Sequence, residues 1–253
     1  MNPYERQMTA VGVIPARLSS TRFPGKLLER INGKSLIAMV YENAQKATSL
    51  EKVVIATEDE AIAAEAEAIG ADYILTPNTF ATGTDRIAWA CRRLDLHHDI
   101  VFNIQGDEPL LSPKLIDDLF VGFSTSLCQV GTLVKRIETE EELGNPNVVK
   151  VVRNMDGEAL YFSRSPIPYY RNKPQDHLKQ NHYWKHIGLY AYRSDALELF
   201  SRLEQTDLEI AESLEQLRLL QNNSKYFCME TKEEIMGIDT PEDFEKLKSL
   251  IQN

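Results

Sequence analysis

The sequence predicts an α/β fold, a doubly wound and mainly parallel mixed sheet with helices on both faces. Three observations predict it. Four short β-branched runs, AVGVI (10–14), KVVIAT (52–57), DYIL (72–75) and DIVFNI (99–104), suit strands buried on both faces. Segments of helical periodicity separate them, at about 35–47, 59–69 and 84–94, which implies right-handed βαβ crossovers. No linker interrupts the 253 residues, so 1–253 reads as a single domain.

Beyond 113–123, read as a further helix, the pattern loosens. QVGTLVK, VVKVV, ALYFS (159–163) and HIGLYAY (186–192) read as strands. Residues 164–183, rich in Pro, Tyr, Asn and Lys, are too long for a tight turn and read as a functional loop or subunit contact. Helices are expected at 194–202 and 210–221, the second with Ile210, Leu214, Leu217 and Leu220 as its core stripe. On that spacing Glu215 and Gln216 fall off the stripe, where such residues are usually solvated. After a strand at 226–230, Thr240 is placed to cap the last helix, with Pro241 as its first residue and Asp243 closing a capping box.

The formal charge of −10 argues against a nucleic-acid partner, which would be gripped by Lys and Arg. No apolar run approaches the ~20 residues that span a bilayer, and MNPYERQMTA lacks the apolar core of a secretory signal. Cys91, Cys128 and Cys228 are widely spaced in apolar segments, which fits reduced core thiols of a cytoplasmic protein. His97-His98 has no third ligand at metal-binding spacing and reads as an exposed loop pair.

In open α/β sheets ligands bind beyond the carboxyl ends of the strands. PARLSSTRFPGK follows the first strand there, TEDE follows the second, QGDEP follows DIVFNI, and IDTPED comes after the strand near 226. The first loop offers Arg17, Arg22 and Lys26 with Ser19, Ser20 and Thr21 between them, a set able to hold a triphosphate. It is no Walker loop: Leu27 stands where the metal-binding hydroxyl would be, and no glycine lies five residues before Gly25. A solvated basic loop is the competing reading. Asp107 and Glu108 at a strand end suit magnesium, and Asp239 is a second candidate; a turn-forming Asp107 is the competing reading, and for Asp239 taken alone a helix-dipole role is the better one. TGTDR opens a helix at which Thr84 is either a cap or part of a nucleotide contact.

Taken together, PARLSSTRFPGK, NGK, TGTDR, NIQGDEP, NPNVVKVV, LYFSRSPIP, HIGLYAY, LEQLR and GIDTPED resemble, in this order, the 3-deoxy-manno-octulosonate (Kdo) cytidylyltransferase family. The match runs from about Val11 to about Leu247. The first motif marks sugar nucleotidyltransferases broadly, whereas QGDEP with YFSR, H-x-G-x-Y and LEQLR is more specific. The resemblance implies a nucleotide-diphospho-sugar transferase-like fold with a dimerisation and sugar-binding elaboration at 159–195. It implies a cytoplasmic, magnesium-dependent homodimer that activates Kdo with CTP for lipopolysaccharide. By motif position, Arg17, Arg22 and Lys26 would hold phosphates, and Gly83 and Thr84 would lie by the cytidine. Asp107 and Asp239 would be metal ligands. Gln105, Arg164, His186, Tyr190, Glu215 and Gln216 would line the sugar pocket. Two departures stand out: Asp85 where many members have Glu, and a different segment over 169–183, to which no roles are carried.

The implied chemistry is attack of the sugar 2-hydroxyl on the α-phosphorus of CTP, with Arg17, Lys26, Asp107 and Asp239 at the reacting centre. Other readings remain at this stage: activation of 8-amino-Kdo or a sialic acid, a nucleotide-sugar glycosyltransferase, and a catalytically silent nucleotide-binding protein.

Overall fold

The structure is a computed structural model that describes residues 8–20, 22–172, 178 and 183–252. Thr21 of the basic loop and most of 173–182 lie outside the described residues. The chain divides into two compact units, Met1–Phe120 with Ile235–Asn253, and Val121–Glu234.

The first unit is built on β1 (Ala10–Ala16), β4 (Lys52–Thr57), β5 (Tyr73–Leu75) and β6 (Ile100–Asn103), all parallel in the order β5-β4-β1-β6. β1 runs through Pro15 to Ala16, because its register with β4 continues to the pair Ala16–Thr57. Helices α1 (Leu36–Ala44), α2 (Glu60–Ala68) and α3 (Gly83–Arg93) pack on this sheet. The expectation that DYIL is buried on both faces fails: β5 pairs on one side only, and Tyr73 and Leu75 are exposed. Asn32 and Gly33, both at positive φ, turn the two-residue strands β2 (Arg30–Ile31) and β3 (Lys34–Ser35) into a hairpin. The last helix, here α9 (Pro241–Gln252), has the expected cap: Thr240 Oγ1 accepts from Asp243 N–H, and Asp243 Oδ2 accepts from Thr240 N–H. Phe244 and Leu247 of this helix join Ile31, Leu36 and Ile238 in one apolar cluster. Each fully buried side chain of that size is worth about 1.5–3 kcal/mol, which is what seats the 238–239 segment against the hairpin.

The second unit holds β7 (Val130–Arg136), β8 (Lys150–Arg153), β9 (Ala159–Ser163), β10 (Trp184–Arg193) and β11 (Tyr226–Glu230). β11 is parallel to β7, while β7, β10, β8 and β9 pair antiparallel in that order. The expected mixed sheet is thus parallel in the first unit and mixed in the second. Helix α6 (Ser194–Arg202) has its expected limits, but the helix expected at 210–221 is two short ones, α7 (Asp207–Glu212) and α8 (Gln216–Gln221). Ser213 between them is left-handed at φ 51°. Accordingly Ile210 is exposed and outside the stripe, while Gln216, expected to be solvated, is buried. All three cysteines are buried, and none of them is in a disulfide. His97 is exposed as expected, whereas His98 is largely enclosed, 3.3 Å from a Glu51 carboxylate oxygen. Among the described residues, no helix is long and apolar enough to cross a membrane.

Candidate active site

Chain geometry puts the loops after β1 and β4 side by side, since the two strands end in register. Leu18 closes the first loop: its carbonyl accepts from Ser20 N–H at 2.9 Å and from Gly25 N–H at 3.1 Å. Gly25 then takes φ 74°, a conformation open to glycine without strain, and turns the chain into a 3₁₀ turn at Lys26–Leu28. Across from it, Gly83 starts α3 hard against Pro15, where a Cβ would come 3.3 Å from the ring.

The turn at Gly25 sends the Lys26 side chain inward. Lys26 Nζ donates to Asp107 Oδ2 at 2.6 Å, to the Ile238 carbonyl at 2.6 Å and to Asp239 Oδ1 at 3.3 Å. Ile238 N–H in turn donates to the Asp107 carbonyl at 2.9 Å. Two carboxylates 132 residues apart in sequence (239 − 107) therefore meet at one ammonium. Arg22 reaches the other oxygen of Asp239 at 2.9 Å, but both partners are about half exposed. An exposed pair of this kind is worth about 0–1 kcal/mol, so Arg22 is cheap to redirect, whereas buried Lys26 is fixed by three acceptors. Glu108 is the third carboxyl. Among the described residues its Oε2 is buried without a hydrogen-bond partner, and burial, with Asp107 and Asp239 nearby, pushes its pKa up to about 8. That shift favours the uncharged carboxyl near neutral pH.

Arg17, Arg22, Lys26, Gly83, Gln105, Asp107 and Asp239 all line one cavity of about 370 Å³. Thr84 does not. It is fully buried, its hydroxyl accepting from Asn103 Nδ2 at 3.3 Å, and the cap of α3 is Thr82, which does line the cavity. Arg86 also lines it, held by Thr76 Oγ1 at 2.6 Å and by the Glu58 carboxylate. The oxygen donors Asp107 and Asp239 fit magnesium, which takes few carboxylates and keeps room for phosphate oxygens. Among the described residues no cluster of three or more His, Cys, Asp or Glu side chains is arranged to hold a metal without such oxygens.

The second unit gathers the remaining expected residues. β10 bulges between Ile187 and Tyr190, and the His186 and Tyr190 rings come to 5.1 Å, with Phe162 edge-on to His186 at 5.1 Å. Thr132 Oγ1 sits in the bulge, near the carbonyls of Ile187 (3.1 Å) and Leu189 (2.9 Å) and His186 Nε2 (2.9 Å). Carbonyls only accept, so the single hydroxyl proton serves one partner at a time, and the Nε2–H tautomer of His186 would supply a second donor to this group. Burial lowers the His186 pKa to about 3, keeping the ring neutral. Gln216 is buried, its backbone carbonyl accepting from Tyr226 OH at 2.9 Å, and Glu215 at the start of α8 is half-buried. Arg164 donates to the carbonyls of Glu212 (2.7 Å), Pro146 (3.0 Å) and Ser213 (3.1 Å), and Glu212 accepts its backbone N–H. Sequence reasoning missed Glu58, Asp59, Thr132 and Glu212 as partners of site residues. The position of TEDE at the strand ends was the one available signal.

A cytidylyltransferase family model matches residues 11–235. The 3-deoxy-manno-octulosonate cytidylyltransferase of Geobacter metallireducens is 44% identical over 95% of this chain and 96% of its own length. That of Geotalea uraniireducens is 46% identical over 95% and 98%. A solved structure described as CMP:2-keto-3-deoxy-manno-octonic acid synthetase complexed with CTP superposes with a TM-score of 0.89, at 40% identity, covering 96% of this chain and 98% of that one. On these grounds the chain belongs to the 3-deoxy-manno-octulosonate cytidylyltransferase family.

Proposed function

We propose that this chain transfers the cytidylyl group of CTP to the 2-hydroxyl of Kdo, releasing pyrophosphate and yielding CMP-Kdo for lipopolysaccharide assembly. The observation that carries the reading is the single cavity lined by three cations of the β1 loop together with Asp107 and Asp239. A cation-rich loop beside paired carboxylates is what in-line transfer at a triphosphate requires, because positioning and charge neutralisation supply most of the catalysis.

Arg17 and Arg22 bind the triphosphate, Arg22 leaving its exposed pairing with Asp239 to do so. Lys26 offsets charge growing on the phosphates, and its bond to the Ile238 carbonyl keeps it from following the nucleotide. Gly83, with Thr82 rather than Thr84 beside it, approaches the cytidine. Asp107 and Asp239 would hold Mg²⁺, which would neutralise phosphate charge and lower the pKa of the attacking hydroxyl. Gln105, Arg164, His186, Tyr190, Glu215 and Gln216 bind the sugar. Arg164, whose Nε and both terminal nitrogens donate to the carbonyls of Glu212, Pro146 and Ser213, is held in place as the cation for the sugar carboxylate. Neutral His186, in the Nε2–H tautomer, offers Nδ1 as an acceptor for a sugar hydroxyl. The family likeness supports a cytoplasmic homodimer, with 159–195 contributing to the contact.

The test is CTP- and Mg²⁺-dependent pyrophosphate release across Kdo, 8-amino-Kdo and a sialic acid. Kdo is expected to give the highest kcat/KM. A higher value with another sugar overturns the substrate assignment, and no release with any sugar overturns the activity.

A further inference from the structure

Asp59 stands at the N-cap of α2, in extended conformation (φ −97°, ψ 120°), where an aspartate normally accepts from the first turn of its helix. It makes no such side-chain bond. Its Oδ2 instead accepts from the backbone N–H of Leu18, 41 residues earlier, at 2.7 Å, while its own N–H donates to Thr57 Oγ1 at 3.1 Å. A carboxylate next to a loop of phosphate-binding cations is electrostatically adverse to a polyanion, so its place there calls for a geometric reason.

Leu18 supplies that reason. Its carbonyl takes the N–H groups of both Ser20 and Gly25, so the loop is tied to this residue at both of those positions. Arg17 precedes it directly, and Gly25 sets the turn that buries Lys26. Fixing the Leu18 peptide therefore fixes both ends of the cation array. We propose that Asp59 is a positioning residue for the nucleotide: it diverts its capping carboxylate from α2 to Leu18 and thereby holds the β1 loop in the shape that receives the CTP triphosphate. The inference rests on the CTP reading above and adds to it a residue that touches neither substrate nor metal.

Three variants separate tethering from helix capping. Asp59→Ser supplies a good capping group for α2, which Asp59 does not itself provide, but is one atom too short for Leu18. Asp59→Asn keeps an acceptor of the right length without the charge, and Asp59→Ala has neither. Loss of a charge-assisted hydrogen bond that orders a binding loop is expected to raise KM for CTP about tenfold in the Ser and Ala variants. KM for Kdo should stay unchanged, and the Asn variant should return to within a few-fold of the parent. The Ser variant should melt close to the parent temperature, while amide exchange at Leu18, Ser20 and Gly25 accelerates. A folded Ser variant with parental KM for CTP and parental exchange at these amides overturns the proposal. A parent that turns over no CTP overturns the activity and this role together, which distinguishes the two failures.

Discussion

Lys26 is assigned to phosphate neutralisation, yet in the structure its ammonium is bonded to the two carboxylates assigned to the metal. The two assignments are compatible if the lysine serves as an internal counter-ion until nucleotide and metal arrive together. A buried ammonium, 8% exposed, shields Asp107 and Asp239 from one another and competes with any divalent ion for the same oxygens. Removing it should then have opposite effects on binding and on turnover. Lys26→Met is expected to bind Mn²⁺ several-fold more tightly than the parent without nucleotide, as read by electron paramagnetic resonance. Its kcat/KM for CTP should fall by a factor on the order of 10² because charge on the phosphates is no longer offset. Weaker Mn²⁺ binding in the variant would mean that the lysine organises the carboxylates and does not compete for them.

Among the elements, β7 shows how tightly the second unit is packed. A Cβ on Gly131 would lie 2.8 Å from Phe123 Cγ and 2.9 Å from Cδ2. The ring has no room to yield, being fully buried under the Arg193 guanidinium, 4.7 Å from its centroid. Gly131→Ala is expected to cost about 1–3 kcal/mol in urea unfolding, the usual penalty for overpacking, and a change within experimental error would show that Phe123 can repack. Elements of this kind were legible from the sequence where one period dominates: KVVIAT, YFCME and the Thr240 cap lie where pattern and capping chemistry place them. Legibility failed where a distant partner decides. Ile210, Leu214, Leu217 and Leu220 have helical spacing, but Arg164 takes the carbonyls of Glu212 and Ser213, and Glu209 is drawn into a buried bidentate pair with Arg218 at 2.6 and 2.8 Å. Those bonds end one helix and start another, and no local pattern encodes them. The candidate site divides the same way. Arg17, Lys26 and Asp107 could be picked out by placement at strand ends, whereas the roles of Asp239 and Glu215 came from family likeness, and Asp59 and Thr132 declare themselves only through their hydrogen bonds.

At the scale of the whole molecule, two buried groups set opposing limits on stability, one in each compact unit. The His186 ring, pushed by burial from 6.5 to about 3, refuses a proton that the unfolded chain accepts. Between those values the unfolded state binds more protons, so the stability present above about pH 6.5 is lost as pH falls toward 3. Glu108 runs the other way. Burial, then Asp107 and Asp239, raise its carboxyl from 4.5 to about 8, so the folded state holds a proton that the unfolded state has released. Its contribution is complete below about pH 4.5 and is lost as pH rises through 8. Each gap corresponds to a change on the order of several kcal/mol, at about 1.4 kcal/mol per pKa unit. Urea midpoints of the chelator-treated, nucleotide-free protein should therefore pass through a maximum between pH 5 and 7, roughly, and decline on both sides. Glu108→Gln is expected to flatten the alkaline limb alone, and His186→Gln the acid limb alone. The double variant should show the sum of the two changes, and a departure from that sum would measure a coupling between the two groups. An alkaline limb that survives Glu108→Gln would locate the titrating group elsewhere and leave the Glu108 carboxyl ionised beside Asp107 and Asp239.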